Sequence, residues 1–536
     1  MNNNSLDYDV IVIGAGVAGL LSARELKKKV PDLKLCVLEA KDRVGGRTHS
    51  VTLKTATGTD VWDLGGQWVG LSQPHLLALM KELDVGMYPQ YADGTKLSQI
   101  GGTTIRPYSD TLPINEIRHY SLKEGWDFWR TVVNLEGKAA EFNVCDPFTH
   151  PDAVSLDSQS LQSWCDANTR TRTVRDALDV ATNVVFGAHA DRLSLLYLML
   201  YGRAAGSFID TLEAVGDTAA NSYKIEGGSQ RLSKMMRDDL GCVQLNSPVI
   251  ACEHDSHRVV LTVLDQATAQ INRLSCSRVV FAIPPQQCAR IEFTPPLPDR
   301  KVQLFKNMPM GNLIKFIITY REPFWRKRGL SGEIIATGIT DKPGEMRRPV
   351  SVTFDATTKN GNAALVGFIN VEWAEKTKEE RRQAVVEDLQ RFFGTESYYE
   401  YIDYEDIVWS SVPYNGGCPV GVVPPGCTQW YTRIREPMGR LHFAGTETAT
   451  VWPGYITGAC QSGLRAAHEI LSNFAPEKVE QEKLDGSVYA KDYKQPKEPE
   501  VNEPPTNSLI SRLKWMIFLG AATATGYHLL KKKAKL

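Results

Sequence analysis

The sequence lacks the cysteine patterns of a metal site or a disulfide scaffold. Ten cysteines are scattered over its 536 residues without a C-x-x-C pair, and cysteine and histidine do not recur at zinc-ligand spacing. This argues against zinc and against a disulfide framework, so we expect no metal. The chain also lacks an excess of either charge, its formal net charge being −1. With no basic stripe interleaved with aromatic residues, we expect no nucleic-acid partner.

The start of the chain lacks the basic and apolar regions of a secretory signal peptide, because Met1–Ser5 is polar. We therefore expect synthesis in the cytosol, with the thiols reduced. Hydrophobic residues make up 42% of the chain and charged residues 23%, which are globular values. The length fits two or three domains.

A glycine-rich turn near the start of the chain is the most informative stretch. Val10–Ile13 is an apolar run typical of a strand buried on both faces, and Leu20–Lys29 is predicted to be a helix. Between them Gly14, Gly16 and Gly19 form a G-x-G-x-x-G pattern. In such a turn the first glycine allows the bend, the second lets a pyrophosphate approach, and the third lets helix and strand pack closely. We predict that Gly14, Gly16, Val17 and Gly19 bind a cofactor.

A second apolar strand, Leu35–Leu38, leads to Glu39, twenty residues after Gly19. An acid at this place takes the ribose hydroxyls of a dinucleotide, while the helix N-terminus favours its phosphates. Glu39 and the adjoining Ala40 are therefore predicted to bind the cofactor. The alternative is an ordinary βαβ unit with a glycine turn.

The following residues indicate which dinucleotide is bound. Arg43-Val-Gly-Gly-Arg47-Thr48 and Asp63-Leu-Gly-Gly-Gln-Trp68 resemble signatures of flavin-dependent amine oxidases and their glutathione-reductase-like superfamily, which bind FAD. The resemblance implies that Arg47 contacts FAD. It also implies that the backbone amide of Val249, on a later predicted strand, meets the adenine.

Lys315 lies in Met308-Pro-Met-Gly-Asn-Leu-Ile-Lys315, which is soon followed by Glu322-Pro-Phe-Trp325. On a strand, Lys315 shares a face with Leu313 and Ile317. A lysine there is often a snorkelling residue on an edge strand. The resemblance instead implies a lysine that is hydrogen-bonded through water to flavin N5, so Lys315 is a predicted catalytic residue.

The region from Trp409 to Arg465 contains more candidate functional motifs than any other part of the sequence. It contains Gly416-Gly-Cys418, Leu441-His-Phe-Ala-Gly-Thr-Glu-Thr-Ala449 and Val451-Trp-Pro-Gly-Tyr455, and a helix is predicted from Pro453 to Leu471. These strings are very similar to the monoamine oxidases. The resemblance implies a thioether between Cys418 and the flavin 8α carbon, although a lone cysteine is usually a buried free thiol. Tyr455 would form one wall of an aromatic cage and act as a catalytic residue. The further cofactor-binding residues implied are Trp409, Gly445 and Glu447, the last beside the ribityl–pyrophosphate part.

Pro419 departs from the family pattern, which has a tyrosine after this cysteine as the second cage wall. Proline has neither a π-face nor a hydroxyl dipole. The cage is incomplete unless Trp409 or Tyr414 compensates, which puts the preferred amine in question.

The fold class expected is α/β with an α+β substrate domain. We expect a Rossmann-like, glutathione-reductase-type FAD-binding domain, discontinuous in sequence, that spans residues 1–88, 220–295 and 400–472. A mixed sheet and helix substrate domain takes 89–219 and 296–399, and a linker takes 473–508.

A C-terminal anchor helix is predicted at 509–531. Trp515–Leu530 has no charged residue and is flanked by lysines, and sixteen residues span about 24 Å of the roughly 30 Å hydrocarbon core. Flanking apolar residues and snorkelling lysines extend it; a helix docked on the body is the alternative. Resemblance places the chain in the mitochondrial outer membrane, facing the cytosol. Ala534-Lys-Leu536 resembles a peroxisomal address and is the minor alternative.

The function expected is oxidative deamination of primary, and by extension secondary, amines to aldehyde, ammonia and hydrogen peroxide with dioxygen. The partners are the amine, dioxygen, membrane lipid and, as a homodimer, a second copy. A polyamine oxidase would favour acids along the access path, and an L-amino-acid oxidase would need a buried arginine such as Arg203 or Arg118. A membrane-tethered flavoprotein with reduced activity is the alternative from another class.

Overall fold

The structure, a computed structural model, describes residues 6–109, 119–342 and 344–497. The strands of this part, numbered in chain order, are β1 (Tyr8–Ile13), β2 (Leu35–Leu38), β3 (Ser50–Thr55), β4 (Gly58–Asp63), β5 (Trp68–Val69), β6 (Met87–Pro89), β7 (Thr95–Gln99), β8 (Arg106–Tyr108), β9 (Tyr223–Ile225), β10 (Val243–Gln244), β11 (Val249–His254), β12 (Val259–Asp265), β13 (Gln270–Phe281), β14 (Glu292–Thr294), β15 (Ile314–Tyr320), β16 (Leu330–Ala336), β17 (Val350–Asp355), β18 (Ala364–Ile369), β19 (Tyr401–Val408) and β20 (Leu441–Phe443).

The α-helices of the same residues are α1 (Val17–Lys29), α2 (Pro74–Glu82), α3 (Leu122–Ala140), α4 (Ala153–Asp157), α5 (Leu161–Asn168), α6 (Arg172–Phe186), α7 (Leu195–Ala205), α8 (Gln230–Leu240), α9 (Pro285–Cys288), α10 (Asp299–Asn307), α11 (Phe324–Lys327), α12 (Lys378–Phe393), α13 (Glu396–Tyr399), α14 (Thr428–Tyr431) and α15 (Ile456–Phe474). Alternating strands and helices confirm the mixed α/β class.

The first sheet collects strands from three distant parts of the chain. Its order is β10-β2-β1-β13-β12-β11-β14, and β20 also pairs with β13. β10, β2, β1, β13 and β20 run parallel, whereas β11 and β12 form an antiparallel extension of β13. β1 is apolar at its centre because α1 and α15 cover one face and a second hydrophobic cluster covers the other. This assembly confirms a Rossmann-like sheet that is discontinuous in sequence.

The second sheet has the order β19-β15-β18-β17-β16-β7-β8. It is antiparallel except where β16 runs parallel to β7. β15 lies inside this sheet between β18 and β19, and all seven of its residues are buried. A lysine on β15 is therefore not an edge residue.

Three elements differ from the predictions. α1 begins at Val17, because Gly16 is its N-cap. α15 begins at Ile456, after Gly454 turns the chain with φ +84°, rather than at Pro453. β19 joins the second sheet, so the predicted boundary at residue 400 falls between strands that pair with each other. The remaining domain boundaries stay predictions.

The predicted linker is described as far as Lys497, and that part packs on the body. Leu484 and Ser487 are buried, and Ser487 Oγ donates to Glu469 Oε1 at 2.8 Å. The high content of Lys, Glu and Pro in this segment predicted a linker, although these few side chains pack on the body. Among the helices of the described ranges, none is long and apolar enough to cross a membrane. The predicted anchor at 509–531 lies outside those ranges.

Candidate active site

One cavity of about 460 Å³ lies where residues of the two sheets meet. Twelve of the fourteen predicted site residues line it, namely Gly14, Gly16, Val17, Glu39, Ala40, Arg47, Val249, Lys315, Trp409, Cys418, Gly445 and Tyr455. Gly19 and Glu447 do not. Residues from both ends of the chain thus share one cavity.

The glycine turn leaves open space where a phosphate is expected. Gly14 has φ +101°, and a Cβ there would lie 2.6 Å from the Ala282 carbonyl oxygen. A Cβ on Gly19 would lie 2.0 Å from the Gly14 oxygen, so Gly19 serves packing. A Cβ on Gly16 would meet nothing within 4 Å, and α1 has no side-chain cap. The first N–H groups of α1 are therefore available to an anion.

Glu39 stands at the end of β2 and is held by backbone. Its Oε2 accepts from the Ala15 N–H at 2.7 Å, and its Oε1 accepts from the Lys41 N–H at 3.0 Å. A carboxylate has about four acceptor positions, so it can also accept from ribose hydroxyls. Lys41 Nζ contacts Asn415 Oδ1, and burial lowers the pKa of Lys41 to about 8.

Arg47 and Glu447 form an ion pair at the cavity wall. Arg47 Nη2 donates to Glu447 Oε2 at 2.9 Å, and Arg47 Nη1 donates to the Pro419 carbonyl at 2.8 Å. Burial disfavours the guanidinium, but Glu447 outweighs this and raises the pKa of Arg47. Glu447 is buried behind Arg47 and also accepts from the Gly421 N–H. It is placed to orient Arg47.

Lys315 is a buried cation with two fixed acceptors. Its Nζ donates to the Gly65 carbonyl at 2.7 Å and to Gln67 Oε1 at 2.8 Å. Burial lowers the pKa of Lys315 to about 8, although the nearby Asp63 opposes this. The acceptors belong to the Asp63–Trp68 motif, so two sequence motifs meet here.

Cys418 faces the cavity from a loop that follows two glycines. Its N–H donates to the Gly311 carbonyl at 2.8 Å, and burial raises the pKa of its thiol to about 12. Trp409 is buried beside the cavity, with its indole N–H donating to the Leu64 carbonyl at 3.0 Å. That bond fixes the ring as a wall.

Two tyrosines in contact with each other line the cavity. The rings of Tyr455 and Tyr201 are 6.4 Å apart at 43°, and Tyr455 Oη donates to the Thr211 carbonyl at 3.0 Å. Pro419 lines the cavity as well. Tyr414 also lines it, but its φ is +60° and its hydroxyl is bonded to Gln266.

The sequence is matched over residues 17–471 by the family model described as "Flavin containing amine oxidoreductase". The chain belongs to this family. It is 34% identical over 472 residues to "Probable flavin-containing monoamine oxidase A" of Dictyostelium discoideum, with 86% of this chain and 97% of the relative covered. It is 34% identical over 473 residues to "Amine oxidase [flavin-containing] B" of Homo sapiens, with 86% of each chain covered.

Solved structures of the family have the same fold. Cyclohexylamine oxidase from Brevibacterium oxydans IH-35A has a TM-score of 0.78 at 27% identity, over 87% of this chain and 99% of that chain. A putrescine oxidase double mutant has a TM-score of 0.77 at 27% identity, over 87% and 100%. The chain is thus a flavin-dependent amine oxidase, and the open Gly16 turn, the uncapped α1 and Glu39 fit FAD.

Sequence reasoning missed three residues that line the oxidase cavity. Tyr201 lies beside an apolar run that is read most simply as core, and Gln67 carries no catalytic signal by itself. Glu333 lies on β16 in an ordinary strand pattern. Only pairing between distant strands and helices brings these side chains to the cavity.

A cluster of Glu25, His468 and Glu480 has the spacing of metal ligands among the described residues. His468 Nδ1 accepts from the Glu480 N–H at 3.0 Å, so its Nε2 carries the proton and donates to Glu25 Oε1 at 2.9 Å. Lys483 Nζ supplies positive charge to Glu25 at 2.9 Å. Both ring nitrogens are therefore committed, and we assign no metal.

Proposed function

We propose that this amine oxidase deaminates primary amines, and secondary amines as an extension, to aldehyde, ammonia and hydrogen peroxide. The observation that carries the proposal is the meeting of Lys315, Cys418 and Tyr455 with the Gly16 turn in one cavity. When bound, FAD supplies the two-electron oxidation and passes the electrons to dioxygen. Water hydrolyses the resulting imine.

The protein's part is to bind, orient and desolvate the amine. Leu313, Ile335, Val352 and Phe368 give the cavity an apolar wall. Such a wall disfavours the ammonium form and holds the amine neutral. Tyr455 supplies an aromatic face that aligns it, and Tyr201 lies beside Tyr455 in the cavity wall. The N-terminus of α15 and the Lys315 ammonium favour negative charge on the cofactor.

The reaction is tested by its products. We expect benzylamine and phenylethylamine to yield aldehyde, ammonia and peroxide in equal amounts, one of each per dioxygen consumed. Ammonia without peroxide, or peroxide without aldehyde, would contradict the proposal.

Cys418 is proposed to hold FAD by a thioether. Attachment would replace the S–H bond of Cys418 and one C–H bond of the 8α-methyl group by a C–S bond, with dioxygen as the two-electron acceptor. The support is that Cys418 lines the cavity, where the positive charges of Arg47 and Lys315 partly oppose the effect of burial on its thiol. Acid precipitation should leave flavin on the chain, and Cys418→Ala should release it. Cys165→Ala, at a buried cysteine outside the cavity wall, is the control.

The competing activities have less support from the described residues. An L-amino-acid oxidase would use an arginine for the carboxylate, but Arg203 is exposed and does not line the cavity. Arg118 lies outside the described ranges. A flavoprotein scaffold would not need the ordered acceptors of Lys315.

We also propose that residues 509–531 anchor the enzyme in the mitochondrial outer membrane, with a peroxisomal membrane as the minor alternative. The anchored enzyme is proposed to be a homodimer. The support is the uncharged stretch between lysines. Carbonate extraction should leave the full chain with the membranes and release a chain ending at Lys497. Release of both would contradict the anchor.

A further inference from the structure

Asp63 is a buried acid that adjoins the cavity wall in sequence. It ends β4, and it does not line the cavity, whereas the next residue, Leu64, does. It also opens the Asp63–Trp68 motif, which supplies both acceptors of the Lys315 ammonium. An ionised carboxylate is costly to bury unless donors and a cation compensate for the lost water. The partners of Asp63 therefore indicate what it does.

Ser229 connects Asp63 to the backbone of that motif. The Ser229 N–H donates to the two carboxylate oxygens of Asp63 at 3.0 and 3.1 Å, and Ser50 Oγ donates to Asp63 Oδ1 at 2.6 Å. A hydroxyl has a single proton to donate. Ser229 Oγ lies 2.5 Å from the Gly66 carbonyl oxygen and 3.1 Å from Asp63 Oδ1, so the nearer carbonyl receives that proton. Asp63 thus fixes Ser229, and Ser229 fixes Gly66.

Gly66 stands between the two acceptors of Lys315 in the chain. Lys315 Nζ donates to the Gly65 carbonyl at 2.7 Å and to Gln67 Oε1 at 2.8 Å. A shift of Gly66 would move both of its neighbours, so the position of the ammonium depends on the hydrogen bond from Ser229. Hydrogen bonds therefore link the buried acid to the buried lysine.

The charges around Lys315 point the same way. The titratable groups that face Lys315 are Asp63 on β4, Lys224 on β9 and the thiol of Cys418, which burial keeps neutral by raising its pKa to about 12. Burial lowers the pKa of Lys315 to about 8, and Asp63 is the largest effect that opposes this. Asp63 itself faces both lysines and Tyr88 on β6, whose pKa is raised by burial so that the phenol stays neutral. Asp63 is thus the acid among these groups.

We propose that Asp63 is the positioning residue of Lys315. Through Ser229 it holds the backbone that carries both acceptors of Lys315, and its negative charge keeps the ammonium protonated at neutral pH. What the ammonium contributes to catalysis rests on the proposed amine oxidation, whereas its protonation can be measured without any amine.

The test is a pH titration of the holoenzyme without substrate, followed by the absorbance of the oxidised flavin. Lys315 lines the flavin cavity, so loss of its charge should shift the absorption bands, with a midpoint at about pH 8 that is absent from Lys315→Met. Asp63→Asn should lower this midpoint by at least about one pH unit, which is a tenfold loss of proton affinity.

Lys224 supplies variants that keep the test decisive. Its like charge disfavours the Lys315 ammonium, so Lys224→Met should raise the midpoint. Asp63→Asn combined with Lys224→Met removes one buried charge of each sign, so that no additional positive charge is left buried. This double variant should still lower the midpoint, because Asp63 affects Lys315 more than Lys224 does.

Two more variants separate the hydrogen bond from the charge. Ser229→Ala keeps the Asp63 carboxylate but removes the bond to Gly66, so the midpoint should stay unchanged while flavin reduction by an amine slows about threefold. Asp388→Asn is the matched control, because Asp388 is also buried and accepts from the Val350 N–H at 3.1 Å without lining the cavity. It should change neither value.

The outcomes are distinct. A midpoint that does not depend on Lys315, that Asp63→Asn and the double variant leave at its wild-type pH, or that Asp388→Asn lowers equally would overturn the proposal. Flavin reduction that Ser229→Ala leaves at the wild-type rate would overturn the role of Ser229. A midpoint that falls as expected in an enzyme whose flavin no amine reduces would refute amine oxidation and support the role of Asp63.

Discussion

Lys315 shows how one buried side chain links two motifs. Its ammonium is fixed by Gly65 and Gln67, and it lies 5.5 Å from the centre of the Trp68 ring. A fixed cation in a site of low dielectric stabilises negative charge more strongly than it would in water. Lys315 should therefore favour transfer of electrons from an amine to flavin bound in the cavity.

Lys315→Met should slow reduction of the flavin by an amine at least about tenfold, because removal of one preorganised donor typically costs more than that. Stopped-flow absorbance under nitrogen measures this rate. Since the pKa of Lys315 is about 8, its charge is present below that pH and lost above it. The ratio of the flavin reduction rates of wild type and variant should therefore approach one above about pH 8.

Lys224→Met is the matched control for this change. Lys224 is also buried, and its Nζ donates to the Asp355 and Thr357 carbonyls at 3.3 and 3.2 Å, but it does not line the cavity. Equal slowing in both variants would mean that loss of any buried lysine matters, and not the charge of Lys315.

Pro419 is the residue whose identity bears most on substrate choice. It lines the cavity, and its carbonyl accepts from Arg47. A ring at this position would face the same space as Tyr455 and Tyr201, where aromatic pairs contribute about 0.5–1.5 kcal/mol beyond burial.

Pro419→Tyr should raise turnover of an arylalkylamine by about two- to tenfold, because a second flat face aligns the substrate ring. Turnover of a short aliphatic amine serves as the control and should change less. Unchanged turnover of both amines would mean that position 419 does not face the substrate.

At the scale of elements, α1 and α15 are joined by buried charges. Glu25 on α1 accepts from His468 on α15 and from Lys483, both at 2.9 Å. Gly463 permits the close approach, because a Cβ there would lie 2.3 Å from the Ala18 carbonyl oxygen. These contacts hold the helix that starts at the cavity against the helix of the glycine turn.

Glu25→Gln should lower the free energy of unfolding by about 2 kcal/mol at pH 7. Burial would raise the pKa of Glu25, but hydrogen bonds from His468 and Lys483 lower it to about 2. This stabilisation is therefore present above the ordinary pKa of 4.5 and lost as pH falls towards the folded value. The difference in the free energy of unfolding between wild type and variant should be about 1 kcal/mol smaller at pH 4 than at pH 7.

Urea unfolding followed by tryptophan fluorescence measures both values. Glu82→Gln, at the exposed end of α2 where it pairs with Arg24 and Lys28 of α1, should cost less than about 1 kcal/mol. A cost for Glu25→Gln that does not change with pH would contradict the ion-pair account.

At the scale of the whole molecule, sequence patterns predicted those strands and turns whose conformation depends on neighbouring residues in the chain. The β1 run, the glycine turn and β2 could be read because burial on both faces and a tight turn leave a mark on consecutive residues. The start of α15 could not, since Gly454 turns the chain after a proline that usually opens a helix. The placement of β19 depends on pairing with β15, which lies far away in sequence.

The site shows the same division. Motifs predicted twelve residues that line the cavity, but Glu447 lies behind Arg47 because its carboxylate satisfies that buried guanidinium. Tyr201 and Glu333 reach the cavity only through helix and sheet packing. Sequence motifs thus predicted the cofactor-binding residues better than the residues of the cavity wall that contact the amine.

The central claim is that this cavity oxidises an amine with bound flavin, and anaerobic mixing tests it most directly. The purified holoenzyme is mixed under nitrogen with a panel of monoamines and diamines while the flavin absorbance is followed. We predict bleaching by at least one amine, then recovery of the band with formation of hydrogen peroxide when air is admitted. A flavin band that no amine in the panel bleaches would contradict the account and favour a flavoprotein without oxidase activity.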